Sequence, residues 1–417
     1  MRLAISLALC AAFAQFNSSA FGSDWTQWRG PKRTGEVAEG THLPESLTEE
    51  SVRLVWEKPL GPSYSGPIVT ADRVFVTETK DKKSEVVRAL DLKTGEQIWE
   101  AGWDGAMTVP FFAAANGSWI RSTPAWDGER LYVAGMCDVL VALDGESGDQ
   151  AWAVDYTKKY GTPKQSFGFV CSPLLDDGYV YVQSGAGLIK HVAETGEIVW
   201  RGLADQGGMM GGAFSSPVIA EVAGLKQLVV QTRAQLCGVD MVSGEVLWSV
   251  DIPSFRGMNI LTPVVSNDRV FTSSYGGGSF LIQVERSGGA FRTMELWRKN
   301  VEAYMSSPIL IDEHIYLHLR NQRFTCLDLA SSESRWTTRP YGKYWSMVVE
   351  GDQILALDER GDLLLIDAAT EAFRERDRRH VADSSSWAHL AVAGNRAYVR
   401  QLDGLAVYEW DSPRSGE

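Results

Sequence analysis

The chain has 417 residues, 44% hydrophobic and 22% charged, with 53 acidic against 40 basic side chains and a formal net charge of −13. That excludes a disordered chain, a membrane bundle and a basic nucleic-acid coat, so no nucleic-acid partner is expected. The 15 Trp and 40 Gly point to an all-β protein of many short strands and tight turns.

The N-terminus carries Arg2, an apolar run from Leu3 to Phe16, then Ser18, Ser19, Ala20, Gly22 and Ser23. This is the order of a secretory signal peptide over residues 1–22, cleaved near Ala20 or Gly22, and it implies a periplasmic or secreted protein. No later segment offers about 18 consecutive apolar residues, so no integral membrane segment is expected after cleavage. Residues 23–51, with Gly30-Pro31, Gly35 and Pro44, read as an irregular arm wrapping the outside, held by Trp25 and Trp28.

From residue 52 to 410 a unit recurs. Each unit opens on a lead-in of Ser or Thr before Pro: Ser65-Gly66-Pro67, Ser122-Thr123-Pro124, Cys171-Ser172-Pro173, Ser215-Ser216-Pro217, Leu261-Thr262-Pro263 and Ser306-Ser307-Pro308. A β-branched and aromatic strand follows, as in Arg73-Val74-Phe75-Val76 and Arg130-Leu131-Tyr132-Val133. The unit closes on Asp-x-x-Thr/Ser-Gly-x-x-x-Trp, complete from Ala89 to Trp99 and from Ala142 to Trp152. Asp and the hydroxyl cap a tight turn, Gly takes the positive φ, and the chain reverses into a strand whose Trp packs between neighbouring sheets.

The closing tryptophans, Trp56, Trp99, Trp152, Trp200, Trp248, Trp297 and Trp336, recur at intervals that suit four short strands and their turns. Two weaker units follow, and the last lacks a fourth strand. The orphan strand Leu54-Val55-Trp56-Glu57 can supply it. The expectation is an eight-bladed β-propeller of four-stranded antiparallel blades, its ring closed by an N-terminal strand, followed by a frayed tail at 411–417.

The repeated motif resembles that of the pyrroloquinoline-quinone-type (PQQ-like) propellers, which include quinoprotein alcohol dehydrogenases and BamB-like outer-membrane assembly factors. Asp24-Trp25-x-x-Trp28-Arg29-Gly30-Pro31 resembles the start of secreted, planctomycete-type members. The resemblance implies a fold more firmly than an activity, because the motif holds blades together. A quinoprotein dehydrogenase would need PQQ, calcium held by side-chain oxygens, cations for the quinone carboxylates and an Asp base. No such constellation can be matched residue by residue, and no two cysteines are adjacent.

Other signatures are structural in kind. Cys137, Cys171, Cys237 and Cys326 form no CxxC pair and read as buried hydrophobes, with a Cys137–Cys171 bridge as the one disulfide to check. His314 and His318 sit too far apart on a strand to share a metal, so no metal site is expected. Gly185-Ala186-Gly187 reads as a turn.

Function is expected on the loops at the mouth of the ring. The candidate binding residues are Trp119, Arg121, Phe167, Phe169, Met210, Phe214, Arg256, Met258, Tyr304, Trp345, Trp387 and His389. Arg121, Lys164, Arg256 and Lys343 on lead-in loops, with Arg233, Arg320, Arg323, Arg360 and Arg400 on inner-strand connections, would make the mouth cationic. Pairing with Asp138, Glu359, Asp362 and Asp403 would cancel that field. The reading is a monomeric, non-catalytic scaffold for an envelope protein or peptide, with no cofactor. A PQQ- and calcium-dependent alcohol or sugar dehydrogenase is the alternative, and a carbohydrate-binding propeller the third.

Overall fold

The computed structural model describes residues 24–205, 207 and 211–411. The leader expected at residues 1–22, Met210 of the expected mouth and the tail beyond Asp411 lie outside the described residues.

The described residues form eight four-stranded antiparallel sheets arranged as the blades of a propeller. In the first blade, strands Ile68–Val69, Arg73–Lys80, Ser84–Asp91 and Gln97–Asp104 run from the central channel to the rim. Its second strand buries Val74, Phe75 and Val76 in succession, because both of its faces meet a neighbouring blade, whereas the outermost strand fully buries only Trp99. The eighth blade takes its outer strand, β1 (Val52–Pro59), from the start of the ring, with Leu54 opposite Tyr408 and Glu57 opposite Ala406. Regular helix is confined to Tyr156–Tyr160 among the described residues.

Rim tryptophans tie most of the blades to the next. The indole N–H of Trp56 donates to Leu92 O (3.2 Å), that of Trp99 to Gly145 O (3.0 Å), that of Trp152 to Ala193 O (3.0 Å) and that of Trp297 to Leu329 O (2.8 Å). Gly95, at φ 71°, lets the turn approach the indole: a Cβ there would lie 2.7 Å from the Trp56 ring. Trp248 departs from the pattern. The corresponding hairpin of the fifth blade is lengthened to Gly278–Ser287 and Ala290–Lys299, and the Trp248 indole donates within its own blade to Gln227 Oε1 (2.7 Å).

A second set of bonds fastens the blades around the channel, and it explains why the lead-ins carry hydroxyls. The Gly66 amide donates to Thr123 Oγ1 (2.9 Å), the Thr123 amide to Ser172 Oγ (3.0 Å), the Ser172 amide to Ser216 Oγ (2.9 Å) and the Thr262 amide to Ser307 Oγ (3.2 Å). The remaining contacts invert the pattern: Thr262 Oγ1 donates to Ser216 O, the Trp345 amide to Ser306 Oγ and the Leu390 amide to Ser346 Oγ. Where the ring closes, Arg400 takes this role, its Nη2 donating to Gly61 O (2.6 Å) and Thr77 O (3.2 Å). Arg400 is therefore a buried staple between the last and first blades and not part of a cationic mouth.

The arm departs from its expected course. Its first part does not wrap the outside; it crosses the channel. Trp25 exchanges amide–carbonyl bonds with Val69 of the first blade, and Thr26 O accepts from Trp126 N of the second. Val37 N donates to Val349 O of the seventh. Only its second part lies against the outer strands of the seventh and eighth blades, where His42 O accepts the Trp410 indole N–H and Leu47 N donates to Asp377. The irregular course is dictated by the channel walls: every innermost strand is a sheet edge with unpaired carbonyls and amides, and the arm supplies partners to several of them.

Cys137, Cys171, Cys237 and Cys326 are free thiols, so the Cys137–Cys171 bridge is not formed. Thr123→Val keeps the side-chain shape but leaves the buried Gly66 amide unpaired. The expected cost is about 1–3 kcal/mol, seen as a lowered thermal midpoint, and an unchanged midpoint would show that the hydroxyl contributes nothing.

Candidate ligand cavity at the propeller mouth

The lead-in loops converge on one cavity of about 340 Å³. Its rim is aromatic. Rings follow one another across successive blades, from Tyr275 to Tyr304 (5.3 Å), Tyr304 to Tyr344 (6.0 Å), Tyr344 to Trp387 (4.3 Å) and Trp387 to Tyr64 (4.7 Å, nearly parallel). On the opposite arc Phe112 meets Phe167 (6.2 Å), and Phe167 meets Phe214 (5.6 Å). Phe112 belongs to the insertion between the first and second blades, whose short 3₁₀ helix Phe111–Asn116 buries no residue and leaves Phe111 90% exposed.

The inner end is closed by the arm. Trp28 lines the cavity, and beneath it Trp25, Arg29 and Arg33 are buried. Arg29 Nη2 donates to Thr34 O (2.8 Å) and Pro308 O (2.5 Å), while Arg33 reaches Pro173 O (2.6 Å) and Ser172 O (3.1 Å). Both guanidiniums thus donate to carbonyls and, among the described residues, to no carboxylate, and each lies 5.7 Å from the centroid of the Trp28 ring. Burial lowers their pKa, to about 9 for Arg29 and about 10 for Arg33, and both stay charged at neutral pH.

Of the expected site residues, Arg121, Phe167, Phe214, Met258, Tyr304, Trp345, Trp387 and His389 line this cavity. Three described ones do not. Phe169 is fully buried in the core between the second and third blades, 6.1 Å from the Tyr156 ring. Gly168, at φ 77°, turns the backbone between Phe167 and Phe169 and sends the two rings to different places. Trp119 folds back on Gly117, and Arg256 is exposed outside the lining, with its carbonyl accepting from Arg233. Sequence reasoning missed Trp28 and the hydroxyl ring as cavity residues; their Ser/Thr-Pro lead-ins were the available signal for the ring.

The expected cancelling pairs on the mouth loops do not form. Asp138 accepts from Gln165 and Gly185, Glu359 from Tyr344, Asp403 from Ser384, and Asp362 pairs with His380 and Arg378. Arg320 pairs with Glu302, and Arg323 donates to Thr338 O. Arg121 is the cation in the cavity wall. It lies 5.4 Å from the Tyr64 ring centroid, donates from Nη2 to Gly117 O (2.9 Å) and has a lowered pKa from burial.

None of the described lining residues is Asp or Glu. The carboxylates behind the wall are already engaged: Asp358 accepts from Gly342, Arg360 and the Trp345 indole, and Glu359 from Tyr344. Calcium takes six to eight oxygen ligands, with carboxylates prominent among them, so this donor set does not fit PQQ with calcium. No group of three or more metal-ligating side chains occurs among the described residues. His389, whose Nδ1 lies 2.8 Å from Leu390 O, has its pKa pushed down to about 3 by burial and by Arg29, which makes it a poor base at neutral pH.

The family described as outer membrane protein assembly factor BamB matches residues 82–338. The chain belongs to this family. BamB of Yersinia pestis is 22% identical over 349 residues, covering 80% of this chain and 78% of that protein. Among solved structures, BamB from Moraxella catarrhalis superposes with a TM-score of 0.61 at 14% identity, covering 88% of this chain and 99% of that one. Quinohemoprotein alcohol dehydrogenase from Comamonas testosteroni gives 0.64 at 14% identity, covering 96% and 83%. Such low identities establish the shared fold, which the assembly factor and the dehydrogenase have in common.

His191, His318 and His389 are all held neutral by burial, with pKa values of about 4, 3 and 3. Between those values and the ordinary value near 6.5 the unfolded chain binds more protons than the folded one, so stability falls as pH drops through that window. Glu85 opposes this: burial raises its pKa to about 7, and its contribution falls as pH rises from 4.5. His389→Gln is expected to make the acid-side loss of thermal stability shallower, measured as midpoint against pH. An unchanged slope would mean that His389 does not contribute to it.

Proposed function

We propose that the protein is a non-catalytic scaffold of the cell envelope that holds a polypeptide segment at its aromatic mouth. The observation that carries this reading is the lining itself: a belt of aromatic rings and one wall cation, with no acidic side chain among its described residues. Aromatic anchors and Arg dominate peptide and protein recognition because they bury area at low conformational cost. The family supports the same reading, since its curated relatives are named as assembly factors for outer membrane proteins. The apolar run at Leu3–Phe16 supports export.

Two measurements test it. Adding PQQ with calcium to the purified protein is expected to leave the thermal midpoint unchanged and to produce no dye-linked alcohol oxidation; a saturable rise with turnover would establish the dehydrogenase instead. In pull-downs from envelope extract, an Arg121→Glu, Phe167→Ala double variant, both residues lining the cavity, is expected to lose partners that the wild type retains. Equal recovery would remove the mouth from the binding surface.

A further inference from the structure

Six members of the blade-fastening ring also line the cavity: besides Ser216 and Ser306, these are the four hydroxyls of Thr123, Ser172, Ser307 and Ser346. Each oxygen accepts one backbone N–H, from Gly66, Thr123, Thr262 and Leu390 respectively. None of the four donates to another described residue, so each keeps an O–H to offer to a ligand. Arg121 adds a full charge. It is paired with no carboxylate, and its Nε is buried without a hydrogen-bond partner. A concave site that presents donors and a cation, and no acid among its described residues, is complementary to an anion.

Shape narrows the class. The arm closes the inner end with Trp28, so a ligand enters and leaves through the mouth. At about 340 Å³ the cavity lies at the small end of ligand sites, enough for one large side chain and its terminus but not for an extended segment. A bulky ring would lie among Tyr64, Phe167, Phe214 and Trp387, and a group preceding it in the chain would exit past Phe112.

We propose that the cavity is a socket for a polypeptide chain end whose last residue is aromatic, with the terminal carboxylate held by Arg121 and the hydroxyl ring. This rests on the peptide-binding reading above and specifies what part of the peptide is read. The free carboxylate distinguishes a chain end from an internal segment, and the ring distinguishes it from a simple anion such as acetate.

The test is a titration of the purified protein followed by quenching of intrinsic tryptophan fluorescence, since Trp28, Trp345 and Trp387 face the cavity. The probes are acetyl-Gly-Ala-Phe as the free acid, the same peptide as its carboxamide, acetyl-Gly-Phe-Asp-Gly-amide as an internal acid, and 3-phenylpropionate as a small acid. The free acid is expected to bind saturably, and the other three at least about tenfold more weakly, the loss expected when a charge-assisted contact is removed. Arg121→Met should bring the free acid down to the level of the carboxamide and leave the carboxamide unchanged.

Equal binding of acid and carboxamide by the wild type would overturn the chain-end assignment and leave the peptide reading standing. Equal binding of the internal acid would overturn the terminus, and equal binding of 3-phenylpropionate the polypeptide source. Failure of every peptide while the pull-down still depends on the mouth would overturn this proposal alone. The acid-to-carboxamide comparison uses the wild type, so it decides the question even if Arg121→Met folds poorly.

Discussion

The hydrogen bond from a backbone amide of one blade to a lead-in hydroxyl of its neighbour is the contact from which the rest of the molecule follows. A propeller blade has two open edges, and ring closure through β1 pairs only strands within the eighth blade. The inner edges remain, eight of them, all facing one narrow channel. Proline at the end of each lead-in removes one amide that would otherwise need a partner there. The residue before it donates to a hydroxyl of the adjoining blade at several positions, so neighbouring sheets are fixed at the channel as firmly as the indoles fix them at the rim. Two concentric sets of bonds, one near the axis and one near the edge, hold each blade against rotation.

That arrangement has a chemical by-product. A hydroxyl that accepts from an amide has spent a lone pair and kept its proton. Repeating this around an axis leaves several hydroxyls beside the same cavity with a proton that no described residue accepts, a by-product of a structural need. The arm responds to the same constraint from below. Arg29 and Arg33 place guanidiniums against carbonyls of the inner strands, and Trp25 pairs with Val69 as a short extra strand. Two buried cations without carboxylates are costly in isolation, and the carbonyls they bond are the compensation available in a channel whose walls are strand edges. Burial, with the charge of Arg29 added, also lowers the pKa of His389, which leaves it a weak base in the cavity.

The blade count, the closing strand and the rim indoles were legible in the sequence because each rests on a short local pattern repeated many times. A four-stranded unit needs a turn with Asp and Gly at fixed offsets and one large apolar anchor on its outer strand, and those requirements survive as spacing. The fifth blade shows the limit: its long hairpin lacks the Asp-Ser-Gly turn, and Trp248 finds Gln227 instead, a substitution that no spacing rule would reveal. The arm was illegible for a related reason. It has no repeat and no amphipathic period, and its partners lie hundreds of residues away, as Arg29 does from Pro308. Composition marked it as irregular, and irregular segments are ordinarily on surfaces; the unpaired inner edges made this one an exception.

The candidate site was legible in kind and only partly in detail. Aromatic lead-in loops point toward the channel because the strands that follow them start there, so most of the rings chosen from those loops do line the cavity. Phe167 and Phe169 show where that logic stops. Two residues apart, they would share a face on a regular strand, but Gly168 takes a positive φ, and a Cβ there would meet Met136 Sδ at 2.3 Å. The turn therefore fits only glycine, and it sends one ring to the ligand space and the other into the core between two blades. Charges misled for a different reason. A loop arginine is expected to pair with a loop carboxylate, yet Arg121 and Arg400, like Arg29 and Arg33 of the arm, donate to backbone carbonyls. In a molecule built from strand edges, carbonyl oxygen is the abundant acceptor, and an arginine that satisfies its donors on carbonyls keeps its net charge for whatever enters the channel.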